Sequence, residues 1–255
     1  MIETIILAVV QGVTEWLPIS SSGHLVIMQE WLFQEELPLI FNVMLHVGTL
    51  CVVLLMFWRD IVEIFKALIK LDFKTEEGKL ALYIPMGSVP TALIGFLFRD
   101  VFESFFHNLL AVGIALLITG SFLYFSESRK NGREMGWLDS LLIGIAQGIA
   151  IIPGISRSGI TITTGLLRKV GKEKAFRYSF LLSIPAILGA TLTESMRVNV
   201  SNIDVAIMFL GVIVSMVVGY MSLKLLLKIV LKEKFHLFAY YCWTVGALII
   251  LSQVL

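Results

Sequence analysis

Two short polar stretches hold most of the side chains in this sequence that could do chemistry. The first, Gln11 to Leu25, reads QGVTEWLPISSSGHL and supplies an amide, a carboxylate, a row of serine hydroxyls and an imidazole. The second, Gln147 to Thr161, reads QGIAIIPGISRSGIT and supplies a guanidinium at Arg157. They align without a gap at an offset of 136, both opening on Gln-Gly and both containing Ile-Ser-x-Ser-Gly.

Arg157 is the one basic residue outside the connecting segments. A lone arginine at membrane depth costs about 2.5–3.5 kcal/mol on insertion scales, so it implies a partner anion. Its planar fork can grip phosphate or carboxylate oxygens through paired hydrogen bonds. Ser156 and Ser158 add hydroxyl donors, Gly154 lets the backbone approach closely, and Thr161 follows one helical turn later. A helix starting here would aim free N–H groups at the same anion. The competing reading is an internal salt bridge between Arg157 and Glu15.

Gln11 and Glu15 share one helical face at i and i+4. An amide oxygen with a carboxylate suits a hard divalent cation whose shell substrate phosphates complete; plain helix-packing polar groups would look the same. His24 could be a general base, a proton donor or a nucleophile at phosphorus. Ser21 occupies the position that Arg157 fills in the other stretch. Serines of such a loop also serve as helix N-caps. Asn42 and His46, again at i and i+4, read as hydrogen-bonded glue between helices.

The elements that must position these residues are membrane helices. The chain has 255 residues, 57% hydrophobic and 15% charged, with mean hydropathy +0.89. Soluble domains carry about 25% charged residues. A polar loop between apolar arms cannot face lipid, because its backbone groups would go unpaired, so it must line a protein-walled cavity. Net charge is +1 and gives no footing for a nucleic-acid partner. Cys51 and Cys242 fall in apolar runs and read as small core hydrophobes. No Lys or Arg precedes Arg59, so the first segment is expected to stay in the mature protein rather than serve as a secretory leader.

Residues 2–16 and 22–33 flank the first loop, each arm shorter than the roughly 17 residues a span needs. A re-entrant hairpin is expected there, and a second one over 138–167. Spans are expected at 39–58, 80–98, 108–125, 174–196, 204–227 and 237–255. Of the 20 Lys and Arg residues, all but Arg99, Arg157 and Arg197 lie in four connections, 59–79, 126–137, 168–177 and 224–234. With six spans these fall on one face, which the positive-inside rule makes cytoplasmic. Segment 59–79 places Ile61, Ile64, Phe65, Leu68 and Ile69 on one helical face and reads as an interfacial helix. Three spans separate the hairpins, so the two enter from opposite sides. The expected fold class is an all-α polytopic membrane protein of about six transmembrane helices plus two re-entrant hairpins in an inverted-topology repeat. It forms a single membrane domain, with repeat one at about 1–107 and repeat two at about 138–236.

The motifs resemble those of the bacterial undecaprenyl-diphosphate phosphatase family, also called bacitracin-resistance proteins. The resemblance rests on Gln11 to Glu15, on Ser20-Ser21-Ser22-Gly23-His24 and on Pro153-Gly154-Ile155-Ser156-Arg157-Ser158-Gly159-Ile160-Thr161, and covers essentially the whole chain. It implies a multi-pass hydrolase of the bacterial inner (plasma) membrane that converts undecaprenyl diphosphate to undecaprenyl phosphate. That reaction recycles the lipid carrier for peptidoglycan synthesis. The resemblance also implies a divalent cation, Mg²⁺ or Ca²⁺, and a site open to the outer face. By matched position Glu15, with Gln11, would help hold the metal, Arg157 would grip the diphosphate, and Ser21 or His24 would act at phosphorus. Many members have Glu where this chain has Gln11. The expected partners are a polyprenyl diphosphate lipid, the bilayer and, for assembly, a homodimer, with no nucleic acid. The rival reading is a transporter or flippase of a lipid phosphate or small anion. Glu15, Ser21 and His24 weigh against it, since an anion carrier has little use for a carboxylate beside its anion.

Overall fold

The computed structural model describes residues 2–32, 39–126, 132–196 and 205–254. Among these residues every regular element is a helix, so the all-α expectation holds. The two polar stretches are each flanked by short helices. Around the first lie α1 (Ile2–Trp16, 15 residues) and α2 (Ser21–Leu32, 12 residues). At 1.5 Å per residue they reach about 22 and 18 Å, against a hydrocarbon core of about 30 Å.

The remaining helices before the second stretch are α3 (Leu39–Met56), α4 (Trp58–Ile69), α5 (Glu76–Leu97), α6 (Arg99–Phe105) and α7 (Leu109–Tyr124). Around the second stretch lie α8 (Trp137–Ile149, 13 residues) and α9 (Arg157–Leu167, 11 residues). Then come α10 (Lys172–Ser195), α11 (Val205–Leu231) and α12 (Phe238–Val254).

The α8–α9 unit enters and leaves at one surface. Asp139, in the first turn of α8, accepts a 2.9 Å bond from Nε of Arg168, which caps the C-terminus of α9. Arg133 grips the same carboxylate through both terminal nitrogens, at 2.7 and 2.6 Å. The N–H of Gly136 donates to Asp139 Oδ2 at 2.8 Å and closes the helix start. Asp139 is only 1% exposed, so its charge is held by two guanidinia rather than by water. The two ends of the expected hairpin are therefore clamped together.

Helices α3, α5, α7, α10, α11 and α12 take the six expected places. Among the described residues α5, α10, α11 and α12 are long and apolar enough to cross a membrane alone, and α7 reaches that measure together with α6, from which it bends by 100°. Asn108 makes the corner, its side chain accepting from the N–H of Ala111 at 3.0 Å to cap α7. The sequence reading gives no element over 99–107; α6 forms there because Arg99 pairs with Glu103 at 2.7 Å, one turn on, while Phe102 turns inward. Helix α4 forms in the segment where an interfacial helix is expected, and ends at Ile69. Asp60 on it pairs with Arg177 of α10, which also reaches Glu76 (3.0 Å) and Glu77 (3.3 Å) at the start of α5.

Packing does not follow chain order. Helix α1 packs chiefly on α11 and α8 on α5, while α3 meets α10 and α7 meets α12. Small residues carry the closest approaches, as lipid-embedded helices require. A Cβ on Gly144 would lie 2.1 Å from the Gly87 carbonyl oxygen, and one on Gly12 would lie 2.9 Å from the backbone of Gly219 and Ser215. Beneath the first loop Trp16, Phe57, Phe176 and Phe180 form an aromatic cluster, with centroids 4.5–6.2 Å apart.

Candidate active site

The two loops meet. Each begins its second arm with a serine N-cap: the N–H of Gly23 reaches Ser20 Oγ at 3.3 Å, and that of Gly159 reaches Ser156 Oγ at 3.2 Å. In each, that serine also lies 3.4 Å from the hydroxyl two residues on, Ser22 or Ser158. Direct bonds join the loops: Gly154 N–H donates to Ser20 Oγ at 3.0 Å, and Ser158 Oγ donates to the Trp16 carbonyl at 3.0 Å. Gly154 sits at φ +95°, and a Cβ there would lie 2.5 Å from the Val112 carbonyl, so only glycine fits the turn. Thr119 of α7 holds this turn from behind, donating to the Gly154 carbonyl (2.8 Å) and accepting from Ser156 N–H (3.1 Å).

Glu15 is the hub. Its Oε1 accepts from Arg157 Nη2 at 2.5 Å; its Oε2 accepts from Ser21 Oγ at 2.6 Å and from Gln11 Nε2 at 3.0 Å. His46 Nε2 stands 3.8 Å from the same Oε2. The Arg157 guanidinium also lies 5.4 Å over the Trp16 ring, which fixes its plane. The carboxylate side chain is 6% exposed and the guanidinium 16%, so the pair is nearly dry. The internal salt bridge weighed from the sequence is thus present.

These groups open into a cavity of about 650 Å³. Glu15, Ser20, Ser21, Ser22, Ser156, Arg157 and His46 form its polar end. From there it runs between the C-terminal halves of α5 and α10, past Ala92, Gly95, Ala186, Gly189 and Ala190, to Phe96, Arg99, Phe102, Glu103 and Glu194 at the mouth. Glu194, near the C-terminus of α10, is one of the two carboxylates at that mouth.

Several expected residues stand behind the cavity rather than in it. Ser158 is 2% exposed and bonded to Trp16, and Thr161 is fully buried, held by the Arg157 carbonyl (2.7 Å) and Ser179 Oγ (2.5 Å). Gly154 supports the turn. His24 is 7% exposed, with Nδ1 2.7 Å from the Ser20 carbonyl and Nε2 2.7 Å from Tyr241 OH. Gln11 is fully buried, and its Oε1 is a buried oxygen with no hydrogen-bond partner among the described residues. The Gln11 atom that faces Glu15 is Nε2, so the amide oxygen can join the carboxylate around a hard cation, which prefers oxygen ligands, once the amide turns over. Among the described residues there is no group of three or more His, Cys, Asp or Glu side chains able to hold a metal. A cation here would therefore depend on phosphate oxygens to complete its shell.

Three contributors were not legible as site residues. His46 comes to the cavity although its spacing with Asn42 suggested helix-to-helix bonding; the Asn42 side chain lies outside the described residues. Thr119 and Tyr241 carry no motif, and only their position on helices packed behind the loops gives them a part.

Residues 4–248 match the family model described as bacitracin resistance protein BacA. The chain is 43% identical over 256 residues to an undecaprenyl-diphosphatase of Halothermothrix orenii, covering 98% of this chain and 96% of that one. It is 42% identical to one of Methanosphaera stadtmanae, over 100% of this chain and 99% of that one, and 41% identical to one of Alkaliphilus metalliredigens, over 99% and 98%.

Proposed function

The chain belongs to the BacA bacitracin-resistance family, and from that membership and the cavity we infer that it hydrolyses undecaprenyl diphosphate to undecaprenyl phosphate and inorganic phosphate. The observation that carries the mechanism is the Ser21–Glu15–Arg157 array at the closed end of the cavity. Phosphoryl transfer needs positioning and charge neutralisation more than elaborate covalent chemistry. Arg157 supplies a planar fork for the terminal phosphate. Its present partner is Glu15, so an incoming diphosphate competes for the guanidinium and, on winning it, releases the carboxylate. Glu15 is then free to act as a base on Ser21, whose hydroxyl already points at it within the distance general-base catalysis needs.

In this reading Ser21 Oγ attacks the terminal phosphorus and its proton passes to Glu15. The P–O bond to the lipid phosphate breaks, Glu15 passes that proton to the departing oxygen, and undecaprenyl phosphate leaves. The carboxylate, free again, takes a proton from water, which attacks the phosphoserine; the Ser21–phosphorus bond breaks, the proton returns to Ser21 Oγ, and phosphate is freed. Ser156 lines the approach as a hydroxyl ligand, and Ser158, Thr161 and Gly154 hold the Arg157 loop in shape. Geometry favours Ser21 over His24 as the nucleophile, because both ring nitrogens of His24 are engaged away from the cavity. A divalent cation, held by Glu15 with the Gln11 amide oxygen and the substrate's own phosphates, would supply further charge neutralisation.

The slot between α5 and α10 suits the isoprenoid tail, being lined by small apolar residues continuous with the polar end. Its mouth lies opposite the faces where the basic connections 59–79, 168–177 and 224–234 gather. By the positive-inside rule that mouth is on the outer side, in a bacterial plasma membrane. The same reading keeps the two halves, about 1–107 and 138–236, as an inverted repeat. Its support is the matched serine caps and the exchanged pairings α1–α11 and α8–α5.

The test is phosphate release by purified protein from a long-chain polyprenyl diphosphate. Turnover should be lost in Ser21→Ala and Glu15→Gln, and a phosphoserine should be trappable at residue 21. Full turnover in Ser21→Ala would sink the mechanism; no release by the wild type would sink the function.

A further inference from the structure

We propose that Tyr241 of α12 and His24 form a positioning pair that fixes the Ser20 backbone and so aims the Ser21 hydroxyl at Glu15. Ser20 sits at φ 70°, a left-handed conformation that side-chain-bearing residues rarely adopt and that surroundings must enforce. Its carbonyl is held twice, by His24 Nδ1 at 2.7 Å and by the His24 backbone N–H at 3.2 Å. Its hydroxyl is held by Gly154 N–H at 3.0 Å and Gly23 N–H at 3.3 Å. Ser21 is the next residue, so the direction of its Cα–Cβ bond follows from that turn.

The hydrogen-bond pattern settles which ring nitrogen carries the proton. A carbonyl oxygen only accepts, so Nδ1 donates; in the neutral ring Nε2 is then the acceptor, and the Tyr241 hydroxyl donates to it at 2.7 Å. The two rings lie nearly parallel, with centroids 5.7 Å apart and 13° between planes. The neighbouring Cys242 thiol reaches the Pro18 carbonyl of the same loop at 3.6 Å, so α12 supports the loop at two successive residues. His24 lines no part of the cavity that holds Glu15, Ser21 and Arg157. The imidazole therefore works through the backbone of Ser20 rather than on phosphorus.

This inference rests on Ser21 as the nucleophile, and its test separates the two. An asparagine amide can stand in for Nδ1–H toward the Ser20 carbonyl, but it can neither accept a proton at a second ring nitrogen nor attack phosphorus. Purified, folded variants are compared by two readouts: labelling of Ser21 by an alkyl phosphonofluoridate, followed by mass spectrometry, and turnover of a long-chain prenyl diphosphate. His24→Asn should label and turn over at least about tenfold faster than His24→Ala, with KM near that of the wild type. Tyr241→Phe should slow both readouts about three- to tenfold through kcat, and should have no further effect in the His24→Asn background, where the nitrogen it bonds is gone. His24→Asn as inert as His24→Ala, a trapped phosphohistidine at residue 24, unaltered rates in Tyr241→Phe, or failure of wild-type Ser21 to label would each overturn the proposal. Labelling with the expected ranking but no prenyl diphosphate turnover would uphold the positioning pair and refute the substrate assignment.

Discussion

Arg157 and Glu15, 142 residues apart in sequence, form a 2.5 Å ion pair at the closed end of the cavity, with the guanidinium lying over the face of Trp16. The pair explains how an arginine is held in a nearly dry site. Burying either charge alone would be costly, whereas the pair is nearly neutral as a unit. It also sets a threshold, because a ligand must offer the guanidinium more than one carboxylate does. A diphosphate, with several charged oxygens, does so.

Arg157→Lys should keep the protein folded and inserted yet lower kcat/KM at least about tenfold, roughly 1.4 kcal/mol of transition-state stabilisation. An ammonium can still neutralise Glu15 but cannot grip a phosphate through a planar fork. If the ion pair were the residue's whole purpose, Lys would restore activity, and Arg157→Ala would cost melting temperature as much as rate. Turnover and detergent melting temperature measured side by side decide between these outcomes.

Gln11→Glu should be tolerated and should lower the divalent-cation concentration needed for half-maximal turnover, by adding a formal charge beside Glu15. The Gln11 amide already meets that carboxylate, its Nε2 donating to Glu15 Oε2 at 3.0 Å, so the new carboxylate would stand beside it. A titration with Mg²⁺ and Ca²⁺ in which the requirement does not move would remove Gln11 from the metal's surroundings.

Gly189→Phe should raise KM for a long-chain prenyl diphosphate about tenfold while leaving turnover of a five-carbon allylic diphosphate within about twofold. Gly189 lines the slot, and a Cβ there would meet nothing within 4 Å, so a ring can be added at its wall without a clash. Equal effects on both substrates would show that the tail does not run between α5 and α10.

A single cysteine at Asp100 should react with an impermeant thiol reagent added outside intact cells, while one at Lys232 should not. Asp100 lies on α6 beside the cavity mouth, and Lys232 follows α11 in a basic connection. Labelling at Lys232 alone would invert the orientation and place the mouth on the cytoplasmic side.

Much of the site was readable because it is local in sequence. Glu15 and Gln11 share a helical face, Ser20 and Ser156 cap the helices that follow them, and Arg157 stands out as a charge no connecting segment can account for. What escaped reading depends on which helices meet. Tyr241 reaches His24 from 217 residues away, and no periodicity in α12 distinguishes it from Tyr240. The short α6 was missed because seven residues carry too little pattern, and only the inward turn of Phe102 gives it a face. Ser158 and Thr161 look like ligands in the motif but spend their hydroxyls on Trp16 and Ser179. A sequence does not reveal which side of a loop a hydroxyl will choose.

The exchanged pairing of α1 with α11 bears on how the protein is made. When α1 leaves the ribosome, the helix it will pack against is still about 190 residues from being synthesised. At about 5–20 residues per second that delay is about 10–40 s. Throughout that interval the Gly12 face that seats against Gly219 has no partner, and until 142 residues beyond Glu15 have been made the carboxylate lacks Arg157. The first hairpin must therefore wait, sheltered by the insertion machinery or parked near the headgroups, until the far end of the chain arrives to enclose it. Biogenesis thus ends, rather than begins, with the seating of α1, and a chain truncated before α9 leaves a carboxylate stranded in the membrane.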